Sequence, residues 1–397
     1  MFKTMFGAVL FLAKAAAVTT VAATVALGVA GAAQAEVKVG VMLSTTGPAA
    51  AIGISSRNAV QMWPQTLGGE PARYIILDDA SDPAATVRGI SKFINEERVD
   101  VIVGPNITAG ALAALDLIAQ NQVPIVTLVG SGVVVEPADD PKKRWVFKMA
   151  ANDTLMADVL SQYMVDHGVA TVGFIGYADS YGESWLNAFR PFAEQRGIEI
   201  VRVERFNRTD TNVTGQVLKL IALAPDAILV AGSGTPSVLP QKALAQMGFE
   251  GGVYQTHGIA NPEFLKIGGA DVEGTIFPTQ PVVVADSLPD DHPVKAAAMA
   301  FVQAYNTRYG ADTVTQFAGD ASGAYPVLDA AVQRALAHGQ PGTPEFRAAL
   351  RDELERTHGV VMPNGIVDTS PQDHVGLDTR SVVMGTIVDG RFVYLAD

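Results

Sequence analysis

Cysteine is absent from all 397 residues. No disulfide can form, and a lipid anchor built on a cysteine at a cleavage site is excluded. Histidine is scarce as well: six residues, at 167, 257, 292, 338, 358 and 374, without an HExxH or paired metal-ligand spacing. A GxSxG elbow and a phosphate-loop lysine are both missing, so the chain offers no residue set for catalysis. Gly232-Ser233-Gly234 begins like a dinucleotide fingerprint, but Ser237 stands where the third glycine belongs, and a strand-end turn is the better reading. Neither metal nor cofactor is expected, nor an enzyme. Past residue 36 there is no run of about 18 uninterrupted apolar residues, the length a membrane helix needs.

Positive charge is also in deficit. The first 35 residues read as an export leader: Lys3 and Lys14, an apolar small-residue stretch Ala15–Ala30, and Ala33-Gln34-Ala35 before Glu36 as an A-x-A cleavage site. A retained membrane anchor is the competing reading of this long segment. Of the 28 basic residues, those beyond Lys3 and Lys14 number 26 against 41 acidic ones, a net charge of −15. Nucleic acid and anionic membrane surfaces are poor partners for such a chain. An anionic ligand would need a local site built against that field. About 360 residues exceed what one core serves, so two domains are expected.

What is present is strand–helix alternation. The central stretch is Val99–Gly132: an apolar run at Val99–Val103, a break at Gly104-Pro105-Asn106, a helix over Ala109–Gln120 with Leu112, Leu115 and Ile118 recurring, and a second apolar run at Pro124–Val129. This is a βαβ unit with parallel strands. Its loops open at the carboxyl ends of the strands, where open α/β sheets bind ligands. Thr108 lies at or next to the helix N-cap, where a hydroxyl, free N–H groups and the helix dipole make an anion site, unless Thr108 only caps the helix.

On either side, strands are expected at Val37–Leu43, Tyr74–Asp79, Thr171–Ile175, Ile198–Arg205, Ala227–Ala231 and Gly252–Gln255. Helices are expected between them at Ala49–Trp63, Ala84–Glu97, Leu155–His167, Trp185–Arg196, Gln216–Leu223 and Val238–Met247. That pattern is doubly wound α/β twice over. Three helices follow (Val294–Tyr309, Gly319–His338, Pro344–Glu355), then a strand-rich tail with Ser381–Val388 and Arg391–Leu395 clearest. Such an order suggests a chain crossing between two lobes more than once.

The segments STTGPAAAIG (44–53), VGPNITAG (103–110), VPIVTLVGSG (123–132), ADSYGESW (178–185) and DVEGTIF (271–277) together resemble the type I periplasmic solute-binding proteins of branched-chain-amino-acid-type ABC importers. The resemblance spans essentially the whole mature chain. It implies two doubly wound Rossmann-like lobes joined by a three-strand hinge, with the ligand closed between them. By that resemblance, residues 36–153 and 283–358 form one lobe, and 154–282 and 359–397 the other. It also implies a monomer that hands its ligand to an ABC permease in the inner membrane; a ligand-presenting chemosensory protein is the alternative.

Carried over by position, Thr108 matches the hydroxyl that binds a ligand carboxylate, with Ala109 beside it. Val129 and Ser131 match contacts of the next loop through backbone and hydroxyl. Tyr181 matches a second-lobe aromatic that closes over the ligand, and Ile52 falls where an aromatic contact is frequent. Phe317 lies where members line the cleft. Tyr177, Ser233 and Thr235 stand near second-lobe strand ends.

One departure matters. Amino-acid-binding members place an acidic residue after the strand equivalent to Gly252–Gln255, as partner for the ligand ammonium. Here the loop is Thr256-His257-Gly258-Ile259-Ala260-Asn261, with His257 at or near that position. Histidine cannot replace a carboxylate facing a buried ammonium. The expectation is a carboxylate ligand without an α-ammonium: an aromatic or phenylpropanoid acid, or a keto or hydroxy acid. If the loop alignment slips, Glu263 or Asp271 supplies the acid and a branched-chain or other hydrophobic amino acid is the ligand.

Overall fold

The computed structural model describes residues 36–396, and the expected leader lies outside them. The first lobe is built on β1 (Val37–Leu43), β2 (Thr66–Leu67), β3 (Glu70–Asp78), β4 (Val101–Val103), β5 (Ile125–Thr127) and β6 (Val146–Lys148), with α1 (Ala50–Val60), α2 (Pro83–Lys92) and α3 (Thr108–Asn121) between them. The sheet order is β2-β3-β1-β4-β5-β6, parallel except at the short edge strand β2.

After β6 the chain crosses and builds a second lobe. Its strands are β7 (Thr171–Tyr177), β8 (Glu199–Phe206), β9 (Ala227–Ala231), β10 (Gly252–Gln255) and β11 (Ile276–Thr279). Its helices are α4 (Asp153–Asp166), α5 (Ser180–Arg196), α6 (Thr214–Ile221), α7 (Val238–Gln246) and α8 (Pro262–Gly268). The chain then returns to the first lobe as α9 (Lys295–Tyr309), α10 (Gln316–Ala335), α11 (Pro344–Leu354) and the hairpin β12 (Val360–Met362) and β13 (Gly365–Val367). A last crossing adds β14 (Val383–Val388) and β15 (Arg391–Tyr394), antiparallel, to the second sheet in the order β15-β14-β11-β10-β9-β7-β8. The two lobes, each a mainly parallel sheet between helices, are the doubly wound pair expected from the sequence.

The last crossing comes later than the expected division at Gly359. Met362 and Val367 are fully buried in the first lobe's core with α1, α10 and α11. Further along, His374 stacks on Phe147 with ring centroids 4.3 Å apart, and its carbonyl accepts from Lys148 N at 3.1 Å. Only then does the chain leave, with Leu377 packed against the cores of both lobes.

Five of the eleven described α-helices start on a side-chain cap. Asp82 accepts from Ala85 N (2.6 Å) ahead of α2, Asn261 from Phe264 N (3.0 Å) ahead of α8, and Thr315 from Ala318 N (3.0 Å) ahead of α10. α3 differs: its N-cap is Ile107, which has no capping oxygen, and its first turn has no acidic residue. Thr108 is the first helical residue and does not serve as the cap. Gly110 follows because α2 packs so closely that a Cβ there would sit 2.6 Å from Thr86 Oγ1.

Candidate functional site

The sheets present their strand ends to one another. Loops after β4 and β5 in the first lobe face loops after β7, β8, β9 and β10 in the second, around a narrow cleft. The chemistry-bearing side chains thus lie at the carboxyl ends of parallel strands.

From the first lobe, Ile52, Ile107 and Phe317 form an apolar wall together with Ala49. Thr108 stands beside it, buried, its Oγ1 3.1 Å from Ser131 Oγ. Ser131 lies behind Thr108, fully buried and outside the cleft lining. Ala109 contributes the helix's first-turn backbone without lining the cleft by its side chain. Val129 does line it. The uncapped start of α3 therefore leaves its N–H groups, at the positive end of the helix dipole, for an anion.

The second lobe closes the cleft with Tyr181 and His257. Thr256 Oγ1 gives its one proton to Gly232 O (2.7 Å) and lies 2.9 Å from the Tyr181 hydroxyl. Tyr181 must then be the donor in that pair, and it offers a ligand its ring rather than its hydroxyl. His257 is 2% exposed, and burial, helped by the nearby Lys148 charge, pulls its pKa down to about 3. It is a neutral imidazole. Among the described residues its Nδ1 has no partner, nor has Nδ2 of Asn106, which lines the cleft from the first lobe. Two buried polar atoms at one cleft without acceptor or donor are the mark of a site made to bind a polar ligand.

Six residues of the lining are not among those the sequence singles out as site residues: Asn106, Ile107, Leu128, Gly130, Arg208 and Gly258. Asn106 belongs to the loop read only as a strand stop. Arg208 stands in a polar loop after β8, where a lone arginine is unremarkable in sequence. Ser233 lines the cleft and accepts from Arg208, Tyr177 lies under that arginine, and Thr235 is outside the lining. Glu263 and Asp271 are also outside it, each facing a lysine: Glu263 is 3.8 Å from Lys266 and Asp271 3.2 Å from Lys242.

Beneath the cleft runs a buried charge cluster at the first crossing. Lys148 Nζ donates to Gly130 O (3.0 Å) and Ala150 O (2.7 Å), and burial brings its pKa down to about 8, against the pull of Asp153, Asp320 and Glu136. Asp320, held by Asn364 Nδ2 at 2.6 Å, is pushed up to about 8 by burial. Gly130 O also accepts from Asp153 N at 2.9 Å, so this carbonyl is already engaged.

A family model described as "Periplasmic binding protein" matches residues 36–390. The chain belongs to that family. This binding protein is a type I member of the branched-chain-amino-acid class, as its relatives indicate. It is 26% identical over 269 residues to Leu/Ile/Val-binding protein homolog 3 of Brucella melitensis, covering 65% of this chain and 71% of that one. Its fold matches an extracellular ligand-binding receptor from Rhodopseudomonas palustris HaA2 with TM-score 0.87 and 40% identity, over 91% of this chain and 100% of the other. A solute-binding protein of a Rhodopseudomonas palustris ABC transporter, solved in complex with benzoate, shares the fold at TM-score 0.78 and 18% identity, over 91% and 96% of the two chains. Membership makes this a solute-binding component of ABC-transporter type, a class whose members act in the periplasm. Among the described residues, no helix is long and apolar enough to cross a membrane.

The neutral state of His257 has a measurable consequence. The folded chain leaves this imidazole unprotonated down to about pH 3, whereas the unfolded chain protonates it below about 6.5. Its contribution to stability is complete above pH 6.5 and falls away toward pH 3. At pH 4.5 the loss is about 2–3 kcal/mol. Thermal melts between pH 7 and 4.5 should therefore fall more steeply for the native chain than for His257→Gln; parallel curves would contradict the buried neutral imidazole.

Proposed function

We propose that this binding protein captures a small organic acid lacking an α-ammonium, favoured to be an aromatic or phenylpropanoid carboxylate, and delivers it to its permease. The observation that carries this reading is that, among the described residues, no carboxylate lines the cleft. A ligand ammonium would meet a neutral imidazole instead, close enough to Lys148 for that lysine's charge to depress the imidazole's pKa. Desolvating an ammonium there, without an acidic partner, carries a cost of several kcal/mol.

A carboxylate suits the opposite wall. The uncapped first turn of α3, the Thr108 hydroxyl and the Asn106 amide supply donors, and Ile52, Ile107, Phe317 and the Tyr181 ring supply apolar surface for the body of the ligand. Two Rhodopseudomonas palustris proteins of this fold are described with benzoate and with 3,4-dihydroxybenzoic acid, so the two-lobed frame accommodates acids without an amine. Capture proceeds by closure. The first lobe takes the carboxylate, the second swings in with Tyr181 and His257, and expelled water strengthens the remaining hydrogen bonds.

Isothermal titration with leucine, benzoate and p-coumarate tests the reading. Binding of an aromatic acid without a leucine signal is expected. Tight binding of leucine alone would overturn it.

A further inference from the structure

Arg208 has no part in the reading so far, yet it faces the cleft from the second lobe, across from the lobe that carries Thr108. Its guanidinium is held on several sides. Nε donates to Asp179 Oδ2 at 2.7 Å, Nη1 donates to Ser233 Oγ at 2.9 Å, and the group lies over the Tyr177 ring, 4.1 Å from its centroid. Asp179 is itself fixed as the N-cap of α5, accepting from Tyr181 N (2.9 Å) and Gly182 N (3.2 Å). The Tyr177 hydroxyl donates to Ser233 O at 2.7 Å, which ties the ring to the same loop. The side chain is only 17% exposed, so its long stem is ordered before any ligand arrives.

These two bonds use two of the five N–H donors of a guanidinium. The remaining three have no protein acceptor among the described residues. A cation that is neutralised from one side by Asp179, stacked on an aromatic face and lining a ligand cleft is a pre-organised donor for an oxygen. It would be wasted on a wholly hydrocarbon tail. We propose that Arg208 is the specificity-determining residue of the second lobe, donating to an oxygen substituent at the end of the ligand remote from the carboxylate. The ligand is then an oxygenated aromatic acid, with either a phenolic hydroxyl or a second carboxylate at that end. This inference rests on the aromatic-acid reading above and narrows it.

The test compares acids in matched pairs, benzoate with 4-hydroxybenzoate and cinnamate with p-coumarate, with terephthalate as the dicarboxylate arm. Titrations are run on the native chain, on Arg208→Met and on Arg208→Lys, with melting curves to confirm folding. In the native chain the oxygenated member should bind about tenfold or more tightly than its parent, as loss of a hydrogen bond to a charged group implies. In Arg208→Met that gap should close, and Arg208→Lys should restore part of it. Preference for terephthalate over 4-hydroxybenzoate assigns the oxygen to a carboxylate, and the reverse to a hydroxyl; both support the proposal. Equal binding of parent and oxygenated acids by the native chain overturns it and leaves the aromatic-acid reading standing. Failure of every acid in the panel, with leucine bound instead, removes both.

Discussion

Replacing Gly130 with alanine should abolish tight ligand capture while leaving both lobes folded. Gly130 is on the first lobe and His257 on the second. A Cβ at Gly130 would lie 2.3 Å from His257 Nε2 and 2.7 Å from Cε1. The imidazole cannot step aside: it is buried, with the Trp185 ring 5.5 Å and the Tyr181 ring 6.1 Å away. Gly130 has no positive φ, so alanine adds no backbone strain. The added methyl therefore acts only where the lobes meet, and the hinge relieves it by staying open. Overpacking costs about 1–3 kcal/mol, and charged wholly to the closed form it weakens binding roughly ten- to a hundredfold. Titration reads the affinity, small-angle scattering the more open shape, and thermal melts the intact lobes. Native affinity in Gly130→Ala would mean that the ligand-bound form does not bring these two loops together.

The double variant Thr108→Val, Ser131→Ala should lose about a hundredfold or more in affinity with little change in melting temperature. Thr108 Oγ1 and Ser131 Oγ are buried and 3.1 Å apart, each the other's partner. Removing both hydroxyls leaves no buried orphan, which is why folding survives. What disappears is the oxygen pair at the uncapped start of α3, and with it a charge-assisted hydrogen bond to the ligand carboxylate, about 1.5–3 kcal/mol, plus the orientation Ser131 gives Thr108. Unchanged capture in the double variant would put the carboxylate elsewhere.

Much of this arrangement is legible in the chain itself. Val37–Leu43, Ala227–Ala231 and Gly252–Gln255 are strands over the residues expected, because each is a short run closed by a turn signal. The short strands β6 and β11 are not legible in the sequence. β6 contains Lys148 and β11 contains Pro278, so neither gives a hydrophobic pattern long enough to recognise. The hairpin at Val360–Val367 went to the wrong lobe because sequence order does not say which core Met362 will fill. At the cleft, Thr108, Tyr181 and His257 follow from strand-end position together with the family resemblance. Arg208 does not. Its meaning comes from Asp179 and Ser233, 29 and 25 positions away in sequence, which meet it only once β7, β8 and β9 lie side by side. Lys148 is likewise silent in sequence, since its acidic neighbours are assembled only where the chain crosses between lobes.

Mass spectrometry of the small molecule released on denaturing the protein, purified without refolding, tests the central claim most directly. An organic acid with no amine is expected, carried by the native chain and missing from the Thr108→Val, Ser131→Ala variant. Recovery of leucine, isoleucine or valine from the native chain would contradict it.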